Sequence, residues 1–367
     1  MAGLSRRSFL ALGAAAAAAR TVPAAAWPGW PQVGTIWHDV VDWPIEGRAF
    51  QDRKAPYDRL PARAEGVVRK QVWDLSRDSA GMMLRFSTHS PFLSVRYQLN
   101  RARLAMAHMP ATGASGCDLY CHDGKGWRWV EVTRPGKQQV EAKLFDGAPA
   151  APRRFQLYLP LYNGVDKLEL GVSEGAEVTP LPPRDSKPIL CYGTSIMHGA
   201  CASRPGMAWP AIVGRALDRQ MLNFGFSGNG KMEAEVAQFL VELDPAVFLI
   251  DCLPNMSPQQ VAERTVPLVR QIRDKRPDTP ILMVEDRTFA NAWFHGKRAS
   301  DHEARRKALR EAVAQARGDG ITGLHLLGGA DLLGDDGDGT TDGSHPNDLG
   351  MTRQAAKVTA ALRAILG

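Results

Sequence analysis

One serine, one aspartate and one histidine in the second half of this 367-residue chain have the neighbours that nucleophilic catalysis requires. Ser195 stands in Tyr192-Gly193-Thr194-Ser195-Ile196, directly after a short apolar run and ahead of a helical stretch. A serine on such a strand-to-helix turn can project its hydroxyl at the edge of a sheet, with backbone N–H groups beside it free to bind an anion. Asp342 precedes His345 by three residues in Asp342-Gly343-Ser344-His345-Pro346. Its carboxylate can accept the proton on one ring nitrogen and leave the other to face a serine. Gly225-Phe226-Ser227-Gly228-Asn229-Gly230 allows a backbone amide to come close to a substrate, and Asn255, in Asp251-Cys252-Leu253-Pro254-Asn255-Met256, can donate from its side-chain amide. Alone, each segment is an ordinary turn or helix cap. Their order carries the argument, because they follow the first three strands and precede the last helix of one alternating pattern.

That pattern begins after Thr179–Pro188, a segment with four prolines that reads as a linker. Pro188–Tyr192, Met221–Phe226, Val247–Leu253, Ile281–Glu285 and Leu324–Leu327 are short apolar runs suited to a parallel sheet covered on both faces. Between them, Met232, Val236, Phe239, Leu240 and Leu243 recur at helical spacing, Ser257-Pro258 supplies an N-cap with proline at the first helical position, and Ser300 with Glu303 has the form of a capping box. Repeated strand–helix units predict a doubly wound α/β/α sandwich, whose ligands bind at the carboxyl ends of the strands. Ahead of the linker the chain offers β-branched and aromatic runs at Val67–Leu75, Met82–Ser87, Phe92–Leu99, Asp118–His122, Trp127–Val132, Gln138–Phe145, Phe155–Leu161 and Leu168–Val172, many separated by turn pairs such as Asp123-Gly124. With no evident helix between them, they predict an all-β sandwich of jelly-roll type. The expected division is 27–180 for the sandwich and 187–367 for the α/β domain.

The blocks around Ser195, Gly228, Asn255 and Asp342/His345 resemble those of the SGNH (GDSL-like) hydrolase superfamily, over about residues 187–367. Thr194 stands where the family name has Asp, and Asn255 follows Leu-Pro instead of Gly. Gly116-Cys117-Asp118-Leu119-Tyr120 resembles the G-x-D-L-Y motif in the N-terminal domain of a bacterial, exported subgroup of these esterases. The resemblance implies Ser195 as nucleophile, His345 as general base and then acid, Asp342 fixing the imidazole, and an oxyanion hole made by the Ser195 and Gly228 amides with Asn255. It calls for no cofactor and no metal.

The remaining features bound the function. Lys and Arg exceed Asp and Glu by six, three of those bases (Arg6, Arg7, Arg20) lie near the start, and no basic stripe suggests nucleic-acid binding. Arg6-Arg7 followed by an alanine-rich stretch and Ala24-Ala25-Ala26 reads as a twin-arginine signal over residues 1–26, hence a periplasmic or secreted protein with no stable membrane insertion. Five cysteines (117, 121, 191, 201, 252) match no zinc or redox spacing, and Cys191 and Cys252 sit in apolar runs. His122, His198, His295 and His302 read as structural or surface residues. The loop from Arg101 to Gly116, with His108, is long enough to reach the α/β domain and contact substrate. Trp127, Trp129, Tyr97 and Tyr120 are candidates for stacking on sugar rings. These readings converge on an exported serine esterase for short, acetyl-type esters on carbohydrates. The alternatives are a lipid esterase or thioesterase, which needs an acyl tunnel or lid, and a non-catalytic carbohydrate-binding protein.

Overall fold

The computed structural model describes residues 34–149 and 151–367. The signal read in residues 1–26, and the expected start of the sandwich at Trp27, lie outside the described residues. From Thr35 onward the chain forms one compact unit built from two layered parts.

In the first part, β1 (Thr35–Asp39), β2 (Ile45–Glu46), α1 (Lys70–Ser76), β3 (Met83–Thr88), β4 (Leu93–Leu99), α2 (Ala111–Ala114), β5 (Asp118–His122), β6 (Trp127–Val132), β7 (Gln139–Phe145), β8 (Arg153–Tyr158), β9 (Val165–Ser173) and β10 (Val178–Pro180) follow in order. Two antiparallel sheets result, ordered β1-β9-β4-β7 and β10-β3-β8-β5-β6, with β2 beside β3. Strand β4 shows why: Leu93, Val95, Tyr97 and Leu99 are buried while Ser94, Arg96 and Gln98 between them are not, the period of two that a half-buried strand presents. The buried set meets Leu168, Leu170 and Val172 of β9 and Leu84, Phe86, Leu119 and Leu157 of the other sheet in one core.

In the second part, β11 (Ile189–Gly193), α3 (Ser195–His198), α4 (Trp209–Leu217), β12 (Met221–Gly225), α5 (Ala234–Leu240), β13 (Val247–Asp251), α6 (Pro258–Lys275), β14 (Ile281–Val284), α7 (Gly296–Gly318), β15 (Leu324–Leu327) and α8 (Asp348–Leu366) alternate. Their parallel sheet runs β12-β11-β13-β14-β15. Strands β11 to β14 are wholly buried, as expected where helices cover both faces. Ser257 caps α6 through a full capping box with Gln260, and Pro258 takes the first helical position.

Three local expectations are corrected. Val67–Leu75 is not a strand: Lys70–Ser76 is helical. Val68, Val72 and Trp73 bury themselves with Leu190, Tyr192 and Phe224 of the parallel sheet, a partner surface that periodicity within the segment cannot reveal. Phe50, Leu60 and Ala64 join the same core, so most of the buried apolar residues from Phe50 to Ser76 cover the α/β sheet, while Tyr57 enters the sandwich core. Ser300 does not cap α7, which already begins at Gly296; its hydroxyl bonds the Lys297 carbonyl instead (2.8 Å). Val178–Pro180, at the edge of the proline-rich linker, pairs with β3, a position where an edge strand tolerates proline.

Candidate active site

The sheet order reverses at β11, whose neighbours are β12 on one side and β13 on the other. At such a switch point the loops leaving the two adjacent strands diverge and open a crevice at the carboxyl ends of the strands. Ser195 follows β11, Gly228 follows β12 and Asn255 follows β13, so the three face one crevice because of topology. Thr194 caps α3, its hydroxyl accepting from Ile196 N, which accounts chemically for a hydroxyl residue at this position. Gly225 allows the serine-bearing turn to sit on the end of β12, because a Cβ there would come within 2.3 Å of His198 N.

The loop before α8 completes the group. His345 Nε2 lies 2.9 Å from Ser195 Oγ, and His345 Nδ1 lies 2.7 Å from Asp342 Oδ2. The other Asp342 oxygen accepts from the His345 and Ser344 backbone N–H groups at 2.8 and 3.0 Å. Burial pushes the Asp342 carboxyl upward, but these hydrogen bonds outweigh it and hold the group below the usual carboxylate range. An ionised carboxylate so placed keeps the proton of His345 on Nδ1 and leaves Nε2 to accept from the serine hydroxyl. Asp286 and His302 form a second such contact at 2.7 Å, but His302 is buried and its Nε2 accepts from Phe289 N, so that ring has no free nitrogen.

Neither the Ser195 nor the Gly228 N–H has a hydrogen-bond partner among the described residues, and nothing lies within 4 Å of where a Gly228 side chain would begin. Leu253-Pro254-Asn255 forms a single 3-10 turn at the end of β13. The Asn255 carboxamide is satisfied when its oxygen accepts from Asn229 N and Gly230 N at 3.1 and 3.2 Å. That anchors the acceptor end of the amide. Two free backbone amides and a tethered carboxamide on the loops around a serine are a set of donors suited to an oxyanion.

The first part of the chain holds this crevice from behind. Arg59, wholly buried, donates to the carbonyls of Asn223 (3.0 Å), Gly225 (2.7 Å), Leu75 (2.6 Å) and Asp78 (2.9 Å). Burial lowers its guanidinium to about 10, and burial raises the Asp78 carboxyl beside it to about 7. The Tyr162 hydroxyl donates to the Ser195 carbonyl at 3.2 Å, and its ring stacks on buried His198 at 4.1 Å. Asp118, from G-x-D-L-Y, accepts from Gly206 N at 2.8 Å, from Arg204 at 2.9 Å and from Trp129 Nε1 at 2.9 Å. It thereby grips the loop that leaves the serine helix. The sequence reading contains neither tie, that of Arg59 and Tyr162 or that of Asp118. Asp118 meets Arg204 across the two parts of the chain, a pairing that no local pattern exposes.

Other singled-out residues fall as follows. His108 reaches the site: its ring lies 5.3 Å from that of His345. Cys201, buried and in left-handed backbone (φ 68°), stands close enough to Asp342 and Thr341 to feel both, and burial raises its thiol to about 11. All five cysteines are free. Tyr97 and Tyr120 are buried and do not present a stacking face, whereas Trp129 is half exposed, with Arg204 over its ring. The most exposed aromatic pair among the described residues has no counterpart in the sequence reading. Trp293 (85% exposed) and Phe294 (71%) sit on the loop whose Ala290 N–H bonds the Gly343 carbonyl at 2.9 Å and whose Asn291 abuts Gly343.

A doubly wound sheet with a serine, a histidine and free amides at its switch point is the framework of an ester hydrolase. The chain belongs to the GDSL-like lipase/acylhydrolase family: residues 186–363 match that family's model, and residues 35–178 match the GxDLY N-terminus of SGNH-hydrolase-type esterases. Among solved structures it is similar to a Bacteroides ovatus protein assigned as a GDSL-like lipase (33% identity, 91% of this chain and 98% of that one, TM-score 0.87). A salicylyl-acyltransferase from a tetracycline biosynthetic pathway (21% identity, 90% and 98%, TM-score 0.69) and a family two carbohydrate esterase from Cellvibrio japonicus (15% identity, 91% and 98%, TM-score 0.58) share the fold. The comparison with curated proteins gives no match.

Proposed function

We propose that the protein is a serine esterase removing short acyl groups, acetyl above all, from carbohydrates. The observation that carries the chemistry is the 2.9 Å and 2.7 Å chain of contacts from Ser195 through His345 to Asp342. In this reading His345 takes the Ser195 proton as the hydroxyl oxygen attacks the ester carbonyl. The tetrahedral oxyanion is met by the Ser195 and Gly228 amides and the Asn255 NH2. His345 then protonates the leaving alcohol, and water, activated by the same ring, releases the acid. The chemistry needs no cofactor.

The carbohydrate part is supported by the exposed Trp293–Phe294 pair beside the catalytic loop, since flat apolar rings at a wet surface suit the faces of sugars. It is also supported by family two carbohydrate esterases having the same fold. The test is acetate release from acetylated oligosaccharides against hydrolysis of long-chain acyl esters. The expected result is preference for the acetylated sugars. Preference for long chains with no acetate released would favour a lipid esterase or thioesterase.

Asn255→Ala is expected to lower kcat about 10²–10³-fold with little change in KM, because an oxyanion donor acts on the transition state. Steady-state kinetics on one acetyl ester decides it: a rate within about threefold of the parent enzyme would assign the role to another donor.

We further propose export by the twin-arginine route. Arg6→Lys with Arg7→Lys then leaves precursor in the cytoplasm, and unchanged export of the double variant would remove that part of the reading.

A further inference from the structure

The fold gathers four metal-ligating side chains from three separate segments of the chain. His108 comes from the loop between β4 and β5, Cys201 from the turn after α3, and Asp342 and His345 from the loop before α8. One ligand atom of each lies within 4.8 Å of the others. A tetrahedral zinc site with bonds of about 2.0–2.3 Å sets its ligands roughly 3.3–3.8 Å apart, so the group needs to contract by about an ångström. His108 is half-buried on the turn closed by the Met106–Met109 backbone hydrogen bonds, so rotation of its side chain is the movement the site requires. Cys201 faces the group from a left-handed turn (φ 68°).

We propose that His108, Cys201, Asp342 and His345 form an inhibitory site for a borderline-soft divalent cation, with Zn²⁺ the best fit. The donor set decides the choice of ion. Two imidazoles, a thiolate and one carboxylate suit zinc, whereas Mg²⁺ and Ca²⁺ require mostly oxygen ligands. Binding converts Cys201 from thiol to thiolate and releases that proton to solvent. It also draws Asp342 and His345 into the coordination of the ion. Under the proposed function, on which the inhibition rests but the binding does not, His345 can then no longer receive the Ser195 proton. Esterase activity stops while the ion is held and returns when it is removed.

The experiment uses the mature full chain, freed of metal, with Co²⁺ as a spectroscopic stand-in for Zn²⁺. One equivalent is expected to give a thiolate-to-cobalt charge-transfer band and the intense visible bands of tetrahedral cobalt, and Zn²⁺ should displace both. Cys201→Ser should abolish the charge-transfer band and weaken Zn²⁺ binding at least tenfold while leaving metal-free activity unchanged. Cys121→Ser, at the one half-buried thiol and outside the group, should keep the band. His108→Gln, read by metal binding alone, gives a second test should Cys201→Ser fold poorly, and is expected to weaken binding as well. Zn²⁺, but not Mg²⁺, should block fluorophosphonate labelling of Ser195, and a chelator should restore it. Absence of the thiolate band in the parent protein, or Zn²⁺ affinity unchanged in both variants, would overturn the site. A band that appears in a protein that never labels at Ser195 would sink the proposed function and leave the metal site standing.

Discussion

Ser195→Ala is expected to abolish fluorophosphonate labelling and to lower kcat for ester hydrolysis by on the order of 10⁶, with His345→Ala nearly as inactive. The reason lies in the contact chain: the hydroxyl is a weak nucleophile until Nε2, 2.9 Å away, takes its proton. Removing either partner removes the same step, so the double variant should be no worse than either single one. Asp342→Asn should be milder, at about 10⁴-fold, since the ring stays in place but its tautomer is no longer enforced. What survives is the transition-state binding of the donors around the crevice. The decisive comparison is labelling and turnover measured on the same folded preparations. Full labelling of Ser195→Ala would exclude this serine, and additive losses in the double variant would show that Ser195 and His345 do not act together.

Arg59→Leu should destabilise the whole chain by about 3–5 kcal/mol and lower activity further than stability alone explains. One wholly buried guanidinium here bonds four carbonyls drawn from both parts of the molecule. Leucine would take a donor from all four carbonyls in a dry interior, leaving that of Leu75 only the Asp78 N–H, and would leave Asp78 without one of its cations, the situation in which breaking a buried charged contact is most costly. Two of the four carbonyls, at Asn223 and Gly225, belong to β12, whose exit carries Gly228, so the donor loop should loosen as well. Urea unfolding gives the stability loss as a lower midpoint at an unchanged slope. Activity measured well below that midpoint gives the second effect, as a fall in kcat larger than in the parent enzyme at the same fraction folded. A variant with parent-like midpoint and kcat would mean that water or a neighbour satisfies those carbonyls.

The residues that carry the proposed chemistry were readable because each announces itself within a few positions. Asp342 and His345 are three apart, and the aspartate reaches both the ring and the backbone N–H of His345 without help from the rest of the fold. Ser195, Gly228 and Asn255 sit where apolar strand runs stop. The strands of the parallel sheet were equally plain, since burial on both faces demands unbroken apolar runs. Val67–Leu75 misled for the complementary reason. Its β-branched residues favour a strand locally, yet burial of Val72 and Trp73 against Leu190 and Phe224 is worth more than that preference and is available only to a helix lying on the sheet.

Sequence alone thus determined the doubly wound α/β framework, the sandwich ahead of it and the loops from which the proposed reacting side chains come. Periodicity, caps and turn residues are short-range properties, and strand–helix alternation leaves few ways to wind a sheet. Only the tertiary structure decided what meets across those loops. His108 stands beside His345, Cys201 beside Asp342, Arg59 under β12, and Asp118 of the G-x-D-L-Y motif against Arg204. Each of these contacts joins residues far apart in the chain. Its energy comes from burial and charge pairing between elements, and that information exists only once those elements have packed together.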